Sequence, residues 1–342
     1  MATMTLAPTT SLEEIAQQMV QRGKGILAAD ESTGTIKRRF DSIGVENTEA
    51  NRAQWRGLLF ATEDIGDYIS GVIMYEETLK QSAADGTPFI EQLTSKGVIP
   101  GVKVDKSTHA LAGAAGEVIT EGLDGLRGRL KEYREQGAKF TKWRAVITIG
   151  EGIPSSYCID ANAHALARYA AISQEAGLVP IVEPEVLMDG AHSIDRCFEV
   201  TEATLHSVFA ELVNQRVSLE GMVLKPNMVL SGSDASNRAG AEEVAEKTMS
   251  CFLRSVPAAV PGAAFLSGGQ GDEEATVNLD AINRLANKIS APWELTYSYG
   301  RGLQASPLKA WAGKSSNIPA AQRAFQERGR ATASAREGKY TG

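Results

Sequence analysis

Short apolar runs rich in β-branched residues alternate along the chain with longer amphipathic stretches. The runs are Gly25–Ala29, Ile69–Met74, Gly101–Val104, Trp143–Ile147, Leu178–Val182, Gly221–Leu224, Ala263–Leu266 and Leu295–Tyr299, and each closes in a polar or glycine-rich turn. Helical spacing of apolar residues marks Thr48–Thr62, Thr120–Gln136, Asn162–Glu175, Ser193–Asn214, Ala239–Ser255, Glu273–Ile289 and Ala320–Ser334. Strands that alternate with helices pair in parallel through right-handed crossovers. Eight such units predict an α/β fold closed into a (β/α)8 TIM barrel rather than an open sheet. The stretch between the second and third runs is mixed and predicts no clear element. No linker or low-complexity segment divides the sequence, so residues 11–338 read as one domain. Residues 1–10 read as a flexible N-terminus and 339–342 as a short C-terminal tail.

In such a barrel the reacting groups project from the C-terminal ends of the strands. Those ends are charged here. Asp30 and Glu31 follow ILAA, Lys103 and Asp105 close GVKVD, Lys142 and Arg144 lie in KWRAV, Glu183 and Glu185 close IVEPE, and Lys225 sits in VLKPN. Alternate residues of a strand share a face, so Lys103 with Asp105, Lys142 with Arg144, and Glu183 with Glu185 can each point the same way. Any one of them reads equally well as half of an ordinary ion pair. Together they read as a site, because charges in a barrel interior are costly unless paired or used. Lys225 is the sharpest case. A desolvated lysine beside another cation loses basicity, and its free amine can attack a carbonyl to form a Schiff base. Lys142 is the candidate neighbour. The plainer alternative is a lysine whose stem packs while its head pairs with Glu183.

Two glycine turns suggest phosphate. Ser267, Gly268 and Gly269 precede one helical segment, and Ser298, Gly300 and Arg301 precede another. Glycines let backbone N–H groups close on an anion, and a helix N-terminus adds a favourable dipole. The loops after strands seven and eight of such barrels often hold phosphate. A second anion locus reads at Ser32, Thr33, Gly34 and Thr35, followed by Lys37, Arg38 and Arg39, with a solvated basic helix as the equal alternative.

Composition narrows the partners. The 342 residues carry 35 Lys and Arg against 42 Asp and Glu, a net charge of −7. A mildly acidic chain is a poor binder of nucleic acid or membrane surfaces. Three cysteines without a CxxC pair predict buried thiols in a reducing, cytoplasmic compartment. Four histidines without paired ligand spacing predict no metal site. No apolar stretch is long enough to span a membrane, and MATMTLAPTT lacks the features of a secretory signal.

LAADESTGTIKRRF, GVKVDK, KWRAV, IVEPEVL, LEGMVLKPNM, FLSGGQ and YSYGRGLQASPLKAW occur in this order. From about Ser11 to Gly338 the chain resembles the class I fructose-1,6-bisphosphate aldolases. The resemblance implies that Lys225 is the Schiff-base lysine and that Glu183 is the acid–base group that helps dehydrate the carbinolamine. It implies that Asp30 handles the C4 hydroxyl proton and that Lys142 stabilises developing negative charge, supported by Glu185 and Arg144. Ser267, Gly268, Gly300 and Arg301 match the 1-phosphate site, with Gly269 and Ser298 in the same turns. Ser32, Thr35 and Lys103 match groups around the other phosphate, although the family often has serine where Thr35 stands. Many relatives extend past the GKYT segment and end in a functional tyrosine, so Tyr340 reads either as part of a frayed end without a role or as a catalytic tail. The implied reaction is reversible cleavage of fructose 1,6-bisphosphate to dihydroxyacetone phosphate and glyceraldehyde 3-phosphate, without cofactor or metal, by a cytoplasmic homotetramer. Rival readings are an aldolase preferring fructose 1-phosphate or sedoheptulose 1,7-bisphosphate, a non-catalytic scaffold on the same fold, and a pyridoxal-phosphate enzyme using Lys225.

Overall fold

A strand buried on both faces reads as a continuous apolar run, which is why the runs were visible in the sequence. The computed structural model describes residues 11–342, so the segment expected to be flexible lies outside the described residues. The strands are β1 (Gly25–Ala29), β2 (Ile69–Met74), β3 (Ile99–Lys103), β4 (Thr108–Ala110), β5 (Val118–Thr120), β6 (Phe140–Ile147), β7 (Val179–Val186), β8 (Val223–Leu224), β9 (Gly262–Phe265) and β10 (Glu294–Tyr299). Eight of them close a parallel barrel in the order β1-β10-β9-β8-β7-β6-β3-β2, and β4 with β5 forms a separate antiparallel pair. The expected (β/α)8 barrel is the observed fold. Registers such as Ile26 opposite Ser298 and Arg144 opposite Glu183 set the heights of the charged strand ends.

Period-two alternation sorts the side chains. Ile26, Ala28, Ile73, Phe140, Val179, Ile181, Val223 and Ala264 pack together as the inner core. The helix Leu12–Met19 presses Ile15, Ala16 and Met19 against this core, and a Ser11–Glu14 capping box fixes the helix start. Phe140 fills the lumen because Gly101 leaves it room: a Cβ on Gly101 would lie 2.2 Å from the Phe140 ring. The alternate residues, including Leu27, Val102, Trp143, Val182 and Leu224, face the surrounding helices. Continuing the inner-face parity upward reaches Asp30, Lys103, Lys142, Arg144, Glu183, Glu185, Lys225 and Ser298. The barrel therefore has an apolar floor and an ionised upper layer.

Three elements differ from expectation. The helix expected over Thr120–Gln136 begins only at Leu126, because Val118–Thr120 pairs with Thr108–Ala110 and Gly125 sits at φ 68°. A left-handed residue there breaks any helix arriving from upstream. The helix expected from Asn162 starts earlier, at Ser156, because the Ser155 side chain accepts from the Cys158 amide. The mixed stretch resolves into a short 3-10 turn, Thr78–Lys80, and the helix Phe89–Thr94. Cys158, Cys197 and Cys251 are free and buried. No described helix is long and apolar enough to cross a membrane.

Candidate active site

Four ionisable side chains, Asp30, Lys142, Glu183 and Lys225, link the ends of β1, β6, β7 and β8. Lys142 Nζ lies 2.5 Å from Asp30 Oδ2 and 3.1 Å from Glu183 Oε2. Lys225 Nζ lies 3.1 Å from Glu183 Oε1. Glu183 thus meets one lysine on each oxygen, and the order of contacts is Asp30–Lys142–Glu183–Lys225. Two positive and two negative charges cancel, which is what lets them leave water together. The two sequence readings of Lys225 merge here, because its head does pair with Glu183 while Lys142 stands on the other oxygen of the same carboxylate.

The electrostatics fix the charge states of three of the four. Burial favours the neutral acid at Asp30, but the charges of Lys142, Lys225 and Lys103 outweigh it and hold the carboxyl far below its usual range. Burial likewise opposes ionisation of Glu183, and Lys142, Lys225 and Arg144 still hold it below the ordinary value. Burial works against the charge on Lys142, but Asp30, Glu183 and Asp105 keep its ammonium protonated well above the normal lysine range. Lys142 is therefore a cation held between two carboxylates that are ionised, and so able to accept protons, before substrate arrives. Further out, Lys103 pairs with Asp105 at 2.5 Å, Arg144 with Glu185, and Arg39 with Glu31.

Neighbouring polar residues set these positions. The Lys225 amide donates to Val182 O at 2.8 Å, extending the β7 pairing past Leu224. Buried Asn227 accepts from the Val186 amide at 3.0 Å and donates to Thr201 Oγ1 at 3.1 Å, which ties the Lys225 segment to the end of β7. At the other end of the chain of charges, fully buried Arg56 donates to the Glu31 carbonyl at 2.7 Å and to Thr78 Oγ1 at 2.6 Å. Gln304 donates to the Ala28 carbonyl at 2.7 Å and to Glu31 Oε1 at 2.8 Å. Sequence reasoning missed Asn227, Arg56 and Gln304, since each looks like an ordinary surface residue until its distant partner is known.

The layer opens into a cavity of about 360 Å3 that brings together Asp30, Ser32, Thr35, Lys103, Lys142, Arg144, Glu183, Glu185, Lys225, Ser267, Gly268, Ser298, Gly300 and Arg301. Gly268 adopts φ 55°, and its carbonyl accepts from the Arg301 guanidinium, so the turns after β9 and β10 are tied to each other. The Ser298 hydroxyl is buried without a hydrogen-bond partner among the described residues. Ser32 caps the helix Thr33–Asp41, with its hydroxyl 3.2 Å from that of Thr35. Gly269 is not part of the cavity wall: it backs onto Met188, whose Sδ would lie 2.9 Å from an added Cβ. Of the basic run, Lys37 turns out to Asp41 at 2.7 Å, and Arg39 alone lines the cavity. Asp105, Ser107 and Thr108 line it as well, although only Asp105 stood out in the sequence. Tyr340 is not in the wall: its hydroxyl donates to the Glu273 carboxylate at 2.9 Å and its amide to Asp280 at 2.9 Å. A second cavity, about 310 Å3, opens at the N-terminal ends of the strands, but there Arg336 is already paired with Glu294 and Glu337.

Comparison with known proteins addresses what such a mouth does. The family model described as fructose-bisphosphate aldolase class-I matches residues 11–342. A probable fructose-bisphosphate aldolase class 1 of Xanthomonas axonopodis pv. citri is 54% identical over 332 residues, 97% of this chain and 98% of its own. The cytosolic fructose-bisphosphate aldolase 4 of Arabidopsis thaliana is 56% identical over 320 residues, 94% of this chain and 81% of its own. The solved fructose-bisphosphate aldolase of Plasmodium falciparum, crystallised with TRAP and a small-molecule inhibitor, superposes with a TM-score of 0.95 at 48% identity. That match covers 98% of this chain and 99% of the other.

Proposed function

The chain belongs to the class I fructose-bisphosphate aldolases, which cleave fructose 1,6-bisphosphate reversibly through a lysine Schiff base, and we propose that Lys225 is that lysine. The contact order Asp30–Lys142–Glu183–Lys225 carries this reading. Glu183 stands at proton-transfer distance from Lys225 and takes its proton, freeing the amine to attack the C2 carbonyl. It returns a proton to the carbinolamine hydroxyl, which leaves as water. The protonated imine then draws in the electron pair of the C3–C4 bond as Asp30 accepts the C4 hydroxyl proton. Glyceraldehyde 3-phosphate departs and an enamine remains. Protonation of that enamine at C3 and hydrolysis of the imine release dihydroxyacetone phosphate. Lys142 keeps its charge throughout and stabilises the oxyanions that develop beside it.

The phosphate ends follow from the ring order. β3, which carries Lys103, stands four places round the eight-stranded ring from β9, which leads into Ser267 and Gly268. A substrate with an anion at each end is suited to cations and amides on both sides of the mouth. We assign the 1-phosphate to Ser267, Gly268, Ser298, Gly300 and Arg301, with Gly269 supporting the turn from behind. The 6-phosphate goes to Ser32, Thr35 and Lys103, and Glu185 with Arg144 braces the wall between. A cytoplasmic homotetramer completes the reading, supported by the cytosolic Arabidopsis relatives and by the family resemblance. Sedimentation as a monomer at working concentration would contradict the tetramer.

Replacing Lys225 with Met tests the assignment. The volumes are similar and the packing penalty is small. Because one group starts the whole sequence of steps, kcat should fall by at least ~10³ while the fold survives. A variant that still cleaves the bisphosphate at a rate near wild type would sink it.

A further inference from the structure

We infer that Ser107 is a specificity-determining residue, whose hydroxyl takes the far phosphate of the sugar together with Lys103. The inference rests on the aldolase reading of the cavity and adds a group to it. β3 ends at Lys103, and the chain then passes Asp105 to reach Ser107 before β4 begins. Two backbone bonds fix this loop. Lys106 N donates to Glu121 O at 2.8 Å, and Glu121 N donates to Ser107 O at 3.1 Å. Ser107 is held at φ 82°, a left-handed conformation that disfavours any residue with a Cβ. It is exposed and lines the cavity, and its hydroxyl has no hydrogen-bond partner among the described residues. A strained serine with a free hydroxyl at a ligand wall suggests that the hydroxyl is used there.

The surrounding groups indicate for what. Asp105 Oδ1 lies 2.5 Å from Lys103 Nζ and 3.4 Å from the Ser107 amide, and Oδ2 lies 3.3 Å from the Arg144 amide. An ammonium and a backbone N–H therefore converge on one oxygen position. That donor pattern suits an oxyanion. The amide's single N–H is engaged by Asp105, which holds the Ser107 loop against Lys103, so a phosphate oxygen taking a remaining N–H of the Lys103 ammonium meets the free Ser107 hydroxyl. Fructose 1,6-bisphosphate and fructose 1-phosphate differ only at this end of the molecule. Ser107 should therefore act on the ratio between them rather than on the chemistry at Lys225.

The test compares the full chain with Ser107→Ala and Ser107→Gly, using both sugars. The alanine variant keeps the Cβ and the backbone strain and loses only the hydroxyl. It should raise KM for the bisphosphate about tenfold, the size of a hydrogen bond to a charged group, with kcat and the fructose 1-phosphate parameters within about twofold. The glycine variant should show the same change in ratio and melt no lower than the alanine variant, since glycine tolerates the left-handed conformation. An unchanged bisphosphate KM in Ser107→Ala, or an equal loss for both sugars, overturns the inference and leaves the aldolase reading standing. A wild-type protein that cleaves neither sugar overturns both.

Discussion

Removing Lys142 should make the protein's stability depend on pH in a direction fixed by the charge layer. Lys142→Met keeps the approximate volume, so the packing change is small. It strips the shared cation from Asp30 and Glu183, leaving Glu183 its contact with Lys225 and Asp30 no direct ion pair, with Lys103 and Arg144 acting only from further off. Breaking a buried pair costs about 3–5 kcal/mol, and the surviving lysine puts this case near the lower figure. Both carboxyls are depressed in the folded wild type. Their contribution is therefore present above their unfolded pKa values of about 4 and is lost as pH falls through the folded values. Without Lys142, burial pushes both carboxyls upward instead. At pH 8 they stay ionised in the variant and the full penalty appears. At pH 5 a carboxyl whose pKa has risen above that pH takes a proton, recovering about 1.4 kcal/mol per unit of excess. Equilibrium urea unfolding of both proteins at pH 5 and pH 8 measures the gap. A gap about 1 kcal/mol or more larger at pH 8 supports the argument. The same gap at both pH values, or a variant as stable as wild type at pH 8, would refute it.

Three further outcomes follow from the site. Arg301→Ala should raise KM for the bisphosphate about tenfold and change kcat little, because charge-assisted bonds to phosphate are made in ground and transition states alike; an unchanged KM would place the 1-phosphate elsewhere. Tyr340→Phe should alter steady-state cleavage by less than about threefold, or 0.7 kcal/mol, since its hydroxyl rests on Glu273 outside the cavity; a tenfold loss of tritium exchange on dihydroxyacetone phosphate would show that the tail reaches the site. Asn227→Ala should lower stability by about 1–3 kcal/mol, leaving the Val186 amide without its acceptor, and lower kcat with little change in KM; a KM effect alone would mean that Asn227 does not hold Lys225 and Glu183 in register.

Much of the site was legible because a parallel barrel writes its geometry into the sequence twice. Burial on both faces turns strands into continuous apolar runs, and inner-face parity places Lys142 with Arg144 and Glu183 with Glu185 on the same side. What stayed hidden depends on partners far along the chain. Arg56 sits in an amphipathic helix and looks solvated, yet it is fully buried against the Glu31 carbonyl. Gly268 and Gly269 are indistinguishable as letters, but only the first faces the cavity while the second backs onto Met188. The β4–β5 pair escaped notice because its strands are three residues long and β4 is exposed, so it carries no alternation. Ser107 gave no signal either, since the left-handed backbone that singles it out appears only once the loop is folded.

The central claim is that Lys225 forms the imine, and borohydride trapping tests it most directly. Incubating the protein with dihydroxyacetone phosphate and reducing with borohydride converts the imine to a stable secondary amine, and peptide mapping locates it. The account predicts one modified residue, Lys225, and no labelling of the Lys225→Met variant. Modification of Lys142 or Lys103 instead, or no trapped adduct in an active protein, would contradict it.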